Sequence, residues 1–160
     1  MKTNPLLVLL FMAATSALAQ DAPIDWKTLA TEFTEDASAA QAKYQGRTIT
    51  VTGPVSAIAA GDMTTESDPA VAVTLSTPDG PGPDVKCLFE NEDLQPKQQL
   101  YVPGDNSEVL LRTTDDIGNV TGSQPLIQSG QEVTVSGSFF GYVAGEIVIR
   151  HARLAGGTTP

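Results

Sequence analysis

Two stretches far apart in the chain share one pattern of apolar and polar positions. Ile49-Thr50-Val51-Thr52-Gly53-Pro54-Val55 reads apolar, polar, apolar, polar, Gly, any residue, apolar, and Val133-Thr134-Val135-Ser136-Gly137-Ser138-Phe139 repeats it. Strict alternation is the period of a strand with one buried face. Thr50, Thr52, Thr134 and Ser136 fall on one side; Ile49, Val51, Val133 and Val135 fall on the other. Val, Ile and Thr also suit a pleated, half-buried surface. A glycine inside such a strand marks a bulge, a sharp coil or a close approach by another backbone. Two strands bent in this way suit a small, strongly curved barrel better than a flat sheet.

Between and around these stretches the period changes. Trp26, Leu29, Phe33, Ala37, Ala40 and Tyr44 recur every three or four residues, which predicts a helix over 26–44 with one apolar face. Asp25 is its N-cap and Gly46 lies just past its end. Gln20 to Ile24 reads as a flexible lead. The first strand covers about 47–58, and Pro54, lacking an N–H, belongs at a bulge or an unpaired edge. Further strands are expected at 70–77, with Val71, Val73 and Leu75 on one face, and at 84–90, with Val85, Cys87 and Phe89 alternating. Pro78-Asp79-Gly80-Pro81-Gly82-Pro83 between them predicts a compact loop. Residues 91–130 show little periodicity and read as an insertion with structure of its own. Within it, a helical turn is expected near 91–95, a strand at 108–114 and a turn at 115–118. The last two strands, 131–142 and 146–154, are joined by Val143-Ala144-Gly145. Gly156 to Pro160 reads as a tail.

Composition narrows the setting. Lys2, the apolar run Leu6 to Ala14 and Ala17-Leu18-Ala19 have the order of a secretory signal peptide over 1–19, too short for a membrane span. Residues 20–160 then form one exported, periplasmic or secreted domain, with the barrel over 47–154. The chain carries a formal charge of −10, which becomes −11 once Lys2 is removed. That sign disfavours nucleic acid, whose nonspecific binding depends on Lys and Arg neutralising phosphates. One cysteine, Cys87, excludes an internal disulfide.

The order helix, three strands, variable connection, two strands points to a mainly β, five-stranded OB-fold-like Greek-key barrel preceded by an N-terminal helix. The chain resembles the tRNA_anti-like family of exported bacterial OB-fold proteins. Tyr44-Gln45-Gly46-Arg47 running into 49–55 carries the resemblance, with Val85-Lys86-Cys87-Leu88-Phe89, Gly130-Gln131-Glu132-Val133-Thr134-Val135-Ser136-Gly137 and Gly145-Glu146-Ile147-Val148-Ile149. The resemblance implies that the first and fourth barrel strands pair. Family members often carry a second Cys near the end of the last strand, where this chain has His151-Ala152-Arg153. The family name reflects a fold, and tRNA binding is not carried over with it.

Chemistry-bearing motifs are sparse. Cys87 alternates with core positions, and the only histidine is His151, so no catalytic residue and no cofactor is assigned. Acidic clusters at Asp62/Glu66/Asp68, Glu90/Glu92/Asp93 and Asp115/Asp116 offer oxygen ligands to a cation, with Asp62, Glu66 and Asp68 as the first candidate. Phe140 and Tyr142 share a parity opposite Phe139, with Arg150 across the hairpin. They are either a ligand-stacking surface or packing beneath the helix. The leading expectation is an exported, non-catalytic binding module for a small ligand, glycan or envelope protein. The alternatives are a cation-binding stress protein and, against charge and export, a nucleic-acid-binding OB domain.

Overall fold

A computed structural model describes residues 22–61 and 69–156, with only the backbone described at 69 and 70. The signal-peptide stretch, the Asp62/Glu66/Asp68 cluster and residues 157–160 lie outside these.

The two matching stretches are neighbours. β2 (Thr48–Ala60) pairs antiparallel with β8 (Glu132–Val143), Ile49 facing Gly137, Val51 facing Val135 and Gly53 facing Val133. The polar positions also meet. Thr52 and Thr134 share a hydroxyl hydrogen bond of 2.8 Å, and Thr50 donates to Ser136 at 3.2 Å. This ladder closes a five-stranded barrel. β2 continues to β3 (Pro69–Leu75), β4 (Val85–Glu90), β9 (Glu146–Leu154) and back to β8, all antiparallel except β4 against β9. Val51, Val73, Leu75, Val85, Cys87, Val135 and Ile149 fill the interior, each fully buried. β2 also changes partner along its length. Pro54 lies between its last pair with β1 (Ile24–Asp25) and its first with β3, where an N–H is not missed. The bulge on this strand falls at Ser56, between the Val55 and Ala57 pairs, rather than at Gly53 or Pro54.

Gly53 answers to a different need. Ile24, expected in the loose lead, and the N-cap Asp25 pair in parallel with Val51 and Thr52. That register sets Trp26, the next residue, directly over Gly53. A Cβ on Gly53 would sit 2.5 Å from Trp26 Cδ1. The loop of 76–84 closes the other side of the indole through Gly80, and Gly82 lies against Ala30 and Thr34.

α1 (Trp26–Tyr44) starts where Asp25 caps the Lys27 N–H at 2.8 Å, but it is not straight. Asp36 leaves helical geometry, and its carboxylate caps the Ala39 N–H at 2.9 Å, so it ends one half and starts the next. Eleven residues of straight helix span about 16 Å, yet Lys43 meets Glu32 at 2.7 Å. The halves therefore fold toward each other. Phe33 and Tyr44 stack with centroids 6.4 Å apart, and both rings pack on Phe139. Burial alone would raise the Glu32 carboxyl, but hydrogen bonds from Lys43 and Tyr44 outweigh it and hold it below its ordinary value.

The 91–130 segment contains more order than its sequence suggests. A short 3-10 turn (Asn91–Asp93) leads to an antiparallel sheet of β5 (Gln98–Tyr101), β6 (Glu108–Thr114) and β7 (Val120–Gln128). β6 and the 115–118 turn fall where expected. β5 and β7 were not legible, because Pro125 and Gly122 interrupt one and the other is four residues long. Val109 and Ile127 from this sheet join the barrel's own core cluster.

Two outcomes follow. Replacing Gly137, whose Cβ would sit 2.7 Å from the Arg150 carbonyl oxygen, by Ala lowers unfolding free energy by about 1–3 kcal/mol in denaturant titration. Asp36→Ala removes the internal cap and costs about 1 kcal/mol by the same measurement.

Candidate functional site

The last hairpin is irregular in both strands, and the irregularities build the site. Ala144 and Gly145 both take positive φ, 52° and 88°, so a two-residue turn joins β8 to β9. Along β8, Phe139 faces Ile149 but Gly141 faces Val148. Phe140 is the extra residue, and its side chain is turned outward with 60% exposure. Along β9, Arg150 faces Ser138 but Arg153 faces Ser136, so β9 holds one residue too many there. That residue is His151, in the left-handed region at φ 49°. With Ile149 and Ala152 both buried, the bulge leaves Arg150 and His151 adjacent on the outer side. The β9 backbone swings toward β8 at this point, and Gly137 gives it room. The absent Cβ would meet Ile149, the Arg150 carbonyl and Ala152.

The outward residues meet the end of β4. The Arg150 Nε donates to Glu90 Oε1 at 2.6 Å, and its guanidinium lies 5.7 Å from the Phe140 centroid. Glu90 is only 4% exposed, and a carboxylate so buried needs hydrogen-bonding partners of this kind. His151 Nδ1 stands 3.0 Å from Asp93 Oδ2, 3.3 Å from Glu90 Oε2 and 3.4 Å from Glu92 Oε1. Arg153 donates to the other Asp93 oxygen at 2.7 Å. Burial works to raise the Asp93 carboxyl, but its hydrogen bonds with Arg153 and His151 outweigh that and hold it below its ordinary value.

Of the residues singled out from the sequence, Phe140 and Arg150 come together. Tyr142 instead sets its ring 5.4 Å from Phe33 of the helix and remains 37% exposed. Cys87 lies inside the barrel, its thiol pushed up to about 12 by burial, while His151 lies outside. The cluster that sequence reasoning did not assemble is Glu90, Asp93 and His151. A signal for it exists. Arg150-His151 breaks the alternation of Ile147, Ile149, Ala152 and Leu154, and Phe139-Phe140-Gly141 breaks it again opposite.

Because the Asp93 carboxyl is held low in the folded protein, the stability it contributes is present above its unfolded range, near pH 4, and is lost as pH falls below it. Unfolding followed at pH 7, 5 and 3 therefore shows a smaller acid loss for Asp93→Asn than for the wild type.

Among the described residues, no helix is long and apolar enough to cross a membrane. No curated protein and no solved structure matches the chain. The tRNA_anti-like family model matches residues 10–153, a span that covers the helix, the inserted sheet and the barrel up to the last residue of β9 but one. With its closed barrel and preceding helix, the chain belongs to the tRNA_anti-like family.

Proposed function

We propose that this chain is an exported, non-catalytic OB-fold module that binds a glycan on the bulged β8–β9 face. The observation that carries the reading is the Phe140 ring, turned out by a bulge and 60% exposed beside Arg150. A bulge forgoes ladder pairing, and an exposed ring forgoes burial; both are common where a strand re-aims a side chain toward a ligand. An aromatic face suits the C–H face of a sugar ring, while Arg150 and Ser138 beside it suit hydroxyls. Tyr142 and Val143, 37% and 46% exposed, extend the apolar surface toward the hairpin turn.

Charge favours a glycan over a polyanion, since the chain carries −10. The buried, protonated Cys87 supports a non-catalytic role, because a nucleophilic thiol needs exposure and a lowered pKa. The signal-peptide pattern at 1–19 supports export.

Calorimetric titration of the mature protein with neutral and amino-sugar oligosaccharides tests the reading. At least one class binds, and Phe140→Ala weakens it by about tenfold, the loss of one stacked ring. The variant keeps the wild-type unfolding midpoint. Absence of binding across the panel, or an affinity unmoved in the variant, overturns the proposal.

A further inference from the structure

We propose that Glu90, Asp93 and His151 form a binding site for a divalent first-row transition-metal ion, zinc(II) above all, with Glu92 close to the imidazole. The proposal stands apart from the glycan reading and shares only Arg150 with it. Glu90 ends β4, Asp93 closes the 3-10 turn that follows, and His151 is the bulged residue of β9. One ligand atom from each of these three lies within 4.8 Å of the others.

The distances from the imidazole nitrogen are those between donors in a coordination shell. A tetrahedral ion with bonds of about 2.0–2.1 Å holds its donors about 3.3 Å apart. His151 Nδ1 is 3.0, 3.3 and 3.4 Å from the oxygens of Asp93, Glu90 and Glu92. One ring nitrogen carries at most one proton and satisfies one acceptor well. Three carboxylate oxygens converge on it, so a single cation held by the imidazole, Glu90 and Asp93 serves them better than one shared proton. The imidazole also chooses the metal. Calcium and magnesium take oxygen donors, whereas nitrogen with carboxylate oxygen suits zinc and its neighbours.

The two arginines support this arrangement. Arg150 takes one oxygen of Glu90 and Arg153 takes one oxygen of Asp93. Each carboxylate thereby keeps its second oxygen turned toward His151, which is how outer partners orient metal ligands. Three carboxylates facing two guanidiniums leave one net negative charge when the imidazole is neutral. The nearly buried Glu90 adds a donor already withdrawn from water.

The test uses mature protein stripped with chelator. Zinc(II) titrated by calorimetry binds once per chain, and cobalt(II) gives the intense visible bands of a four-coordinate site. Zinc at a hundred times its Kd raises the melting temperature by about 4 °C or more, and millimolar calcium does not. His151→Gly suits the left-handed backbone while removing the imidazole, so the variant folds and loses about a hundredfold or more in affinity. Asp115→Asn, on a distant turn, binds as the wild type does. No heat and no cobalt bands up to millimolar metal would overturn the site, as would binding that survives His151→Gly or calcium that competes equally.

Discussion

The antiparallel contact between residues 48–54 and 132–138 is the constraint on which the rest depends. It joins the first long strand to the fourth strand of the barrel and so removes both open edges at once. Inward valines meet across it, and outward hydroxyls pair across it. Its two glycines look equivalent in the sequence but serve different ends. Gly53 receives the tryptophan that opens the helix, and Gly137 receives the bulged backbone of the last strand. One locks the helix onto the barrel; the other lets the barrel wall carry an irregular, polar outer face.

That outer face is a consequence of counting. A strand with no extra residue would place Arg150 and His151 on opposite sides, one of them in the core. One added residue in each strand of the hairpin puts Phe140, Arg150 and His151 outside together. The end of the third barrel strand then supplies the carboxylates. The parallel pairing of β4 with β9 brings Glu90 near residues sixty positions later, so charges remote in the chain become a single network.

Regular elements were legible because their signals are local. Alternation located the barrel strands, and the apolar stripe located the helix to its end residues, Trp26 and Tyr44. The break at Asp36 was hidden, because the stripe runs on through it and the bend shows only in space, in the Asp36 backbone and in the meeting of Glu32 with Lys43. The inserted sheet was half hidden. Its outer strand exposes most of its residues, so burial leaves little alternation to read. The site was legible in pieces. The acidic run 90–93 and the lone histidine stand out separately, but their meeting depends on strand register, which a one-residue bulge alters. Phe140 and Tyr142 illustrate the same limit. Despite their equal parity, one ring faces solvent and the other turns toward the helix.

Trp26 is the sole indole of the chain, and it is sealed between the first strand's glycine and the proline-rich loop. Its fluorescence therefore watches a single joint in the molecule. An emission shift toward the red, while the ellipticity of the strands holds, would record the helix lifting off an intact barrel. Coincident changes would record one cooperative collapse. The chain thus carries its own optical gauge of whether cap and cylinder come apart separately, with no label attached.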